Sequence, residues 1–272
     1  MDLDFANFYK YKNQIIKGST IDLSKVKFLY PWSIVMLCLF LIERMDDVNK
    51  KLLLPHDTDT KSYLKKMRFE KMLNELGYID DAKTLDRVLA PTEPNLNIQE
   101  LVHCFYRDDF NARLGRFLSM FRNFGLNEDD SSKATALVGE LGNNVFDHNS
   151  GSWPTTVVGC IIAAQHYPDL RKIEVTVGDP GVGFLGSLKA AFPALQNDIE
   201  AIKKGLAGNT GRIGEVRGNG LRLIQQWTIQ DFSGKVMIHS GNGLVTVDRK
   251  EMKDYTVNRI LGTLAQFVIM YN

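Results

Sequence analysis

Cysteine is scarce in this chain. Cys38, Cys104 and Cys160 are the only three in 272 residues. They stand far apart in apolar or helical stretches, which excludes a disulfide framework and reads as buried, reduced thiols of a cytoplasmic protein. A surplus of either charge is also lacking: 33 Lys and Arg against 32 Asp and Glu leave +1, so the total points to neither nucleic acid nor acidic membrane. Long hydrophobic runs are missing too. The longest, Phe28 to Ile42, contains Pro31 and is bounded by Lys27 and Glu43, short of the roughly twenty apolar residues a bilayer needs. Met1 to Lys10 carries acidic residues and has no basic or apolar region of a signal peptide. There are no repeats and no low-complexity tracts. The expectation is a soluble cytoplasmic protein with no nucleic-acid or membrane partner.

What is present is the balance of a globular protein able to build a core, 44% hydrophobic and 24% charged residues. Ala90 to Asn97, with two prolines among polar residues, suggests a boundary and hence two units, 1–93 and 94–272. In the first, Ile21 to Tyr30 reads as extended, Pro31 marks a helix start, and Ser33 to Met45 is a helix apolar nearly all round. Lys51 to Pro55 reads as a strand and Thr60 to Leu76 as a helix closed by Gly77. That alternation predicts a small α/β unit with a partly parallel sheet.

In the second unit, Leu101, Phe105, Phe110, Leu114, Leu118 and Phe121 suggest one long helix over 98–124. Ser131 would cap a second, running to about His148. Strands are expected over 155–164, 172–177, 235–240, 244–248 and 263–271. The Gly241-Asn242-Gly243 turn signals a hairpin. A helix is expected over 219–229, after a long irregular stretch. The fold class is α+β: a two-layer sandwich, with helices on one face of a mixed sheet, preceded by the small α/β unit.

Three patterns carry chemistry. On the helix after Ser131, Glu140, Asn144, Asp147 and His148 share one face beside an apolar stripe. A carboxylate there can take a proton, and an amide oxygen can ligate a hard cation. Alone, the row also reads as an ordinary polar helix face. Asp179-Pro180-Gly181-Val182-Gly183 follows a strand; its glycines let backbone lie against a flat ligand, and Asp179 can accept from an exocyclic amine. Gly218-Asn219-Gly220-Leu221 opens a helix whose free amides suit phosphate. The last two also read as plain glycine turns. The third is neither a Walker loop nor a dinucleotide fingerprint, since no Gly-Lys-Ser/Thr follows and no strand leads directly into it.

Taken in this order, the three patterns and Gly262-Thr263 resemble the GHKL superfamily of ATPases and kinases, over roughly Ile98 to Asn272. Glu140-x-x-x-Asn144 is similar to its N box, Asp179-x-Gly181-x-Gly183 to its G1 box and Gly218-x-Gly220-Leu221 to its G2 box. The resemblance implies a Bergerat fold that binds ATP and Mg²⁺. Asn144 would be the magnesium ligand and Glu140 the general base. Asp179 would read adenine, supported by the Thr263 hydroxyl, with Gly183 forming the base pocket. A lid between Gly183 and Gly218 would offer Thr210, Arg212 and Arg217 to phosphate. His148, four residues after Asn144, is similar to the anti-sigma-factor serine kinases, although Asn149 stands where their motif has glycine. The N-terminal stretch resembles STAS-type domains, with Tyr30-Pro31-Trp32-Ser33 in place of the phosphoacceptor motif. The implied function is ATP hydrolysis or phosphoryl transfer to a protein serine in signalling; the alternative is a non-catalytic ATP-controlled switch. Protein partners through the STAS-like unit or lid, and a homodimer, are compatible with the resemblance.

Overall fold

The computed structural model describes residues 1–89, 97–149, 152–209 and 219–271. The N-terminal part runs β1 (Asp2–Leu3), α1 (Phe5–Ile15), β2 (Ile16–Lys17), β3 (Thr20–Asp22), β4 (Phe28–Leu29), α2 (Pro31–Glu43), β5 (Lys51–Leu53), α3 (Thr58–Lys66), α4 (Phe69–Glu75) and α5 (Ile79–Asp86). β3 pairs parallel with β5 and antiparallel with β2, so the partly parallel sheet is observed. Pro31 occupies the first turn of α2, where its missing N–H costs nothing. The helix expected over 60–76 is two: the chain breaks at Arg68, which is left-handed (φ 59°), and Gly77 (φ +76°) ends the second.

The rest comprises β6 (Ile98–Cys104), α6 (Arg107–Asn111), α7 (Leu114–Asn123), α8 (Glu128–Asn149), β7 (Cys160–Tyr167), β8 (Lys172–Asp179), α9 (Gly183–Leu188), α10 (Asp198–Leu206), α11 (Gly220–Gln226), β9 (Lys235–Ser240), β10 (Gly243–Val247), β11 (Met252–Thr256) and β12 (Thr263–Met270). The long helix expected over 98–124 is instead a strand and two helices. Leu101 and Cys104 point to opposite sides of the sheet, which a strand allows. The cap of α8 is also different. Asn127 Oδ1 accepts from Asp130 N–H at 2.9 Å, while Ser131 lies inside the helix, its hydroxyl donating to the Leu126 carbonyl.

Seven strands form one sheet in the order β11-β10-β9-β12-β8-β7-β6. Every pairing in it is antiparallel, so the expected mixed sheet is corrected. No connection along this order requires a parallel crossover, because β12 returns between β8 and β9 running against both. Alternate residues face opposite layers. Ile173, Val175, Val177, Phe267 and Ile269 pack with α7, α8, α10 and α11, while Ile161, Ala163, Met237 and Leu264 join the core of the N-terminal part. Helices therefore cover both faces rather than one. Twelve of the thirteen residues of α2 are buried, as an all-round apolar helix requires. Its close approach depends on Gly178, where a Cβ would stand 2.6 Å from Val35 Cγ1. Tyr63 also donates to Gln165 at 2.6 Å and Tyr9 to His239 Nδ1 at 2.8 Å. Among the described residues no helix is long and apolar enough to cross a membrane.

Candidate functional site

Helix α8 places its C-terminal half over the end of β8, because its apolar stripe, Ala134, Leu137, Val138, Leu141 and Val145, is buried against the sheet. The adjoining face then looks along the sheet toward α9, α10 and α11. Between these elements lies a cavity of about 620 Å³, counting its open mouth. Val145, Val177, Phe184, Leu188 and Ala265 form apolar walls, and Asn144, His148, Asn149, Asp179, Asn209 and Thr263 supply polar groups. A mostly apolar concavity with a few convergent polar groups is the usual form of a small-molecule site.

Asp179 is the last residue of β8 and is buried. Burial pushes its carboxyl pKa up to about 7, against the lowering effect of hydrogen bonds from Gly181 N–H and the Asn149 side chain. Both donors go to the same oxygen: Oδ1 accepts from Gly181 N–H at 2.9 Å and from Asn149 Nδ2 at 3.0 Å. Thr263 is its register partner on β12. The preceding Gly262 (φ +69°) would place a Cβ 1.8 Å from the Asp179 carbonyl oxygen, so glycine is required there. Thr263 donates to Ser240 Oγ at 3.4 Å, and Ser240 Oγ accepts from Phe184 N–H at 2.9 Å. Gly183 (φ +72°) turns the chain into α9 beneath that hydroxyl.

At the other end of the cavity, α8 meets α11. A Cβ on Gly220 would lie 2.2 Å from Glu140 Oε2 and 3.8 Å from Asn144 Nδ2, so the Glu140 carboxylate, Asn144 and the start of α11 are in direct proximity. The Asn144 amide nitrogen is buried and has no hydrogen-bond partner among the described residues, a state that an incoming acceptor would relieve. Its amide oxygen is a neutral hard donor of the kind magnesium accepts. Among the described residues no group of three or more His, Cys, Asp or Glu stands together. A magnesium ion here would thus draw most of its ligands from phosphate and water, which is its usual habit. The residues fit such an ion.

Of the residues singled out from sequence, Asn144, His148, Asp179, Gly183, Leu221 and Thr263 line the cavity, and Glu140 and Gly220 stand at its edge. Asp147 makes an ion pair with Arg107 and does not line it. Gly181 lies behind Asp179, and Asn219 is exposed just before α11. Thr210, Arg212, Arg217 and Gly218 lie outside the described residues. Asn149 and Ser240 were not foreseen as site residues. Asn149 had a signal, since it follows the Asn144 row on the same helix and is five residues on; Ser240 had only its place at the end of a strand. No protein-family model matches this sequence, and no curated protein is significantly similar to it.

Proposed function

We propose that the protein binds Mg-ATP in this cavity and hydrolyses it, or transfers its γ-phosphoryl to a protein serine, as a cytoplasmic regulatory ATPase or kinase of the GHKL type. One observation carries the reading. Asn144, Asp179, Gly220 with Leu221, and Thr263 come from four separate stretches of chain and meet around one cavity. In this reading the apolar walls hold the flat face of adenine, and Asp179 accepts from its exocyclic amine. Thr263 pairs with Asp179 of β8 on one side and with Ser240 of β9 on the other, which fixes the Asp179 end of β8 against β12. The amides at the start of α11 receive phosphate, and Arg212 and Arg217, outside the described residues, would supply charge-assisted donors to it.

Asn144 would hold magnesium through its side-chain oxygen, and the ion would neutralise phosphate charge. Glu140 takes the proton from a water or a serine hydroxyl as that oxygen bonds to the γ-phosphorus and the bond to the β-phosphate oxygen breaks. The acceptor serine is not Ser33 of this chain in its folded form, since Ser33 is fully buried at the start of α2. The STAS-like N-terminal part then serves partner binding.

A second reading, an ATP-controlled switch without turnover, has its own support. Val35 of α2 packs directly on Gly178, one residue before Asp179, so occupancy of the cavity and the seating of the N-terminal part are mechanically adjacent. Following γ-labelled ATP with magnesium in the wild type and in Glu140→Ala separates the two. Free phosphate or labelled protein that depends on Glu140 supports the enzyme. Tight binding of intact ATP by both proteins, alone and with candidate substrates, supports the switch. No ATP binding at all would sink both.

A further inference from the structure

Asp179 offers two carboxylate oxygens, and hydrogen bonds from the described residues reach only one. Oδ1 accepts from Gly181 N–H and from Asn149 Nδ2, while Oδ2 accepts no hydrogen bond among the described residues. The orientation of the Asn149 amide is dictated by its other partners. Its Nδ2 also donates to the Val145 carbonyl at 2.9 Å, and its Oδ1 accepts from Val182 N–H at 2.9 Å. A flipped amide would set its NH₂ against the Val182 N–H and its oxygen against the Val145 carbonyl and Asp179. Asn149 is 3% exposed, so each of these mismatches would be a buried loss. Room for this amide comes from Gly181. A Cβ there would stand 2.1 to 2.3 Å from the Asn149 side-chain atoms, so Gly181 lacks a side chain because Asn149 occupies its space.

We infer that Asn149 is a positioning residue for base recognition: by holding Oδ1 it leaves Oδ2 as a lone, outward acceptor, and so selects bases with an amino group over those with a carbonyl at that position. The inference rests on the reading of Asp179 as the base-binding group. Its chemistry is a matter of hydrogen-bond sense. An ionised Asp179 accepts from an amine and repels a carbonyl oxygen. A protonated Asp179, with Oδ1 still accepting, carries its proton on Oδ2 and donates, which reverses the preference. Asn149 favours the ionised form because its NH₂ bonds to the carboxylate. The other groups near Asp179 are His148 on α8, lining the same cavity, and Cys160 on β7, whose thiol is pushed up first by its neighbour Cys104 and by burial and less by the Asp179 charge. Ser240 and Thr263, on β9 and β12, are neutral.

Two measurements on the full chain test this. In Asn149→Ala, the Asp179 carboxyl, followed by carbon NMR in the unliganded protein against Asp179→Asn as the assignment control, should titrate about one pH unit higher than in the wild type. Binding of ATP at pH 7 should weaken about fivefold, because the ionised fraction of a carboxyl whose midpoint moves from about 7 to about 8 falls by that factor. GTP binding should be unchanged or tighter, and ATP affinity should recover as pH rises past the new midpoint. A merely structural role would weaken both nucleotides alike, with the midpoint unmoved, and that result overturns the inference. If Asn149→Ala does not fold, Asn149→Ser serves: its hydroxyl still donates to the Val145 carbonyl but does not reach Asp179. A wild type that binds neither nucleotide, yet shows the titration shift, keeps Asn149 as the group that positions the carboxylate and removes the nucleotide reading and base selection.

Discussion

Replacing Asp179 by asparagine should stabilise the protein while emptying the site, and the pH at which it does so can be worked out. The carboxyl titrates near 7 in the folded chain because burial penalises its charge, against about 3.9 in an unfolded one. Between those values the folded state binds the extra proton, so stability falls as pH rises. The contribution is fully present below about pH 4 and is lost as pH rises through 7. Above 7 the cost of holding the buried charge is roughly 4 kcal/mol. Asparagine keeps an oxygen where Oδ1 accepts from Gly181 and Asn149 and replaces Oδ2 by a neutral group, so it mimics the protonated acid. Urea unfolding of both proteins from pH 4 to 8.5 should therefore show near-equal stability at pH 4. The variant should gain an increasing advantage up to pH 7, which then stays level. Taking the difference between the two proteins cancels the titrating groups that do not sense the Asp179 charge; Cys160, which does, is pushed well above this pH range. An advantage that does not change with pH, or a wild type that gains on the variant above pH 6, would refute the account of Asp179 as a carboxyl held against its preference. Lost ATP binding in the stabilised variant is the companion observation expected from a site that trades stability for recognition.

Other perturbations test other joints of the structure. Gly178→Ala should cost about 1–3 kcal/mol in urea unfolding, because the new methyl meets Val35 at 2.6 Å and Leu264 at 3.2 Å; unchanged stability would mean that α2 does not lie on the sheet as described. Tyr9→Phe removes the donor to His239 Nδ1; with that imidazole fully buried, a loss of about 1–3 kcal/mol is expected in thermal unfolding, and no loss would deny the contact. Gly183→Ala combines a left-handed backbone with a Cβ 2.7 Å from Ser240 Oγ. It should lower stability by about 1–3 kcal/mol, and adding Ser240→Ala should recover only the steric part, leaving the double variant below Ser240→Ala alone.

Much of the fold was legible where local chemistry and burial agree. The strand expected over 235–240 is β9 to the residue, and Gly241 (φ +53°) turns the chain into β10. Ile98 to Phe124 misled because its apolar residues recur at helical intervals for a mixed reason. Phe117, Met120 and Phe121 are the buried face of α7, whereas Leu101 serves the opposite core and Phe105 is exposed on leaving a strand. Helix α10 was readable in principle. Asn197 caps it by accepting from Glu200 N–H, and the Glu200 carboxylate reaches back to Gln196 N–H, a capping pattern ahead of the apolar Ile202 and Leu206. The strand order was not legible. Placing β12 between β8 and β9 depends on pairings between residues far apart in sequence, such as Thr263 with Asp179 and with Ser240, and no local signal encodes which distant edge a strand will meet.

The candidate site divides in the same way. Positions where glycine is needed for backbone reasons announce themselves, and Gly183, Gly220 and Gly262 all stand where a side chain would strike a site element. The same rule reads Gly181 as backbone clearance for a ligand, and the structure gives it a different cause: the space belongs to Asn149. In sequence, Asn149 registered only as a departure from a glycine in a motif. A residue defined by what it is not carries no geometry. Its role follows from three hydrogen bonds, one back to Val145 within α8 and two that join the end of α8 to Asp179 and to Val182 in the turn after β8, elements about thirty residues apart whose meeting is a product of the sheet. The glycine pattern reveals where the chain must make room. Only the packed structure reveals which side chain takes it, and that side chain decides how Asp179 meets a ligand.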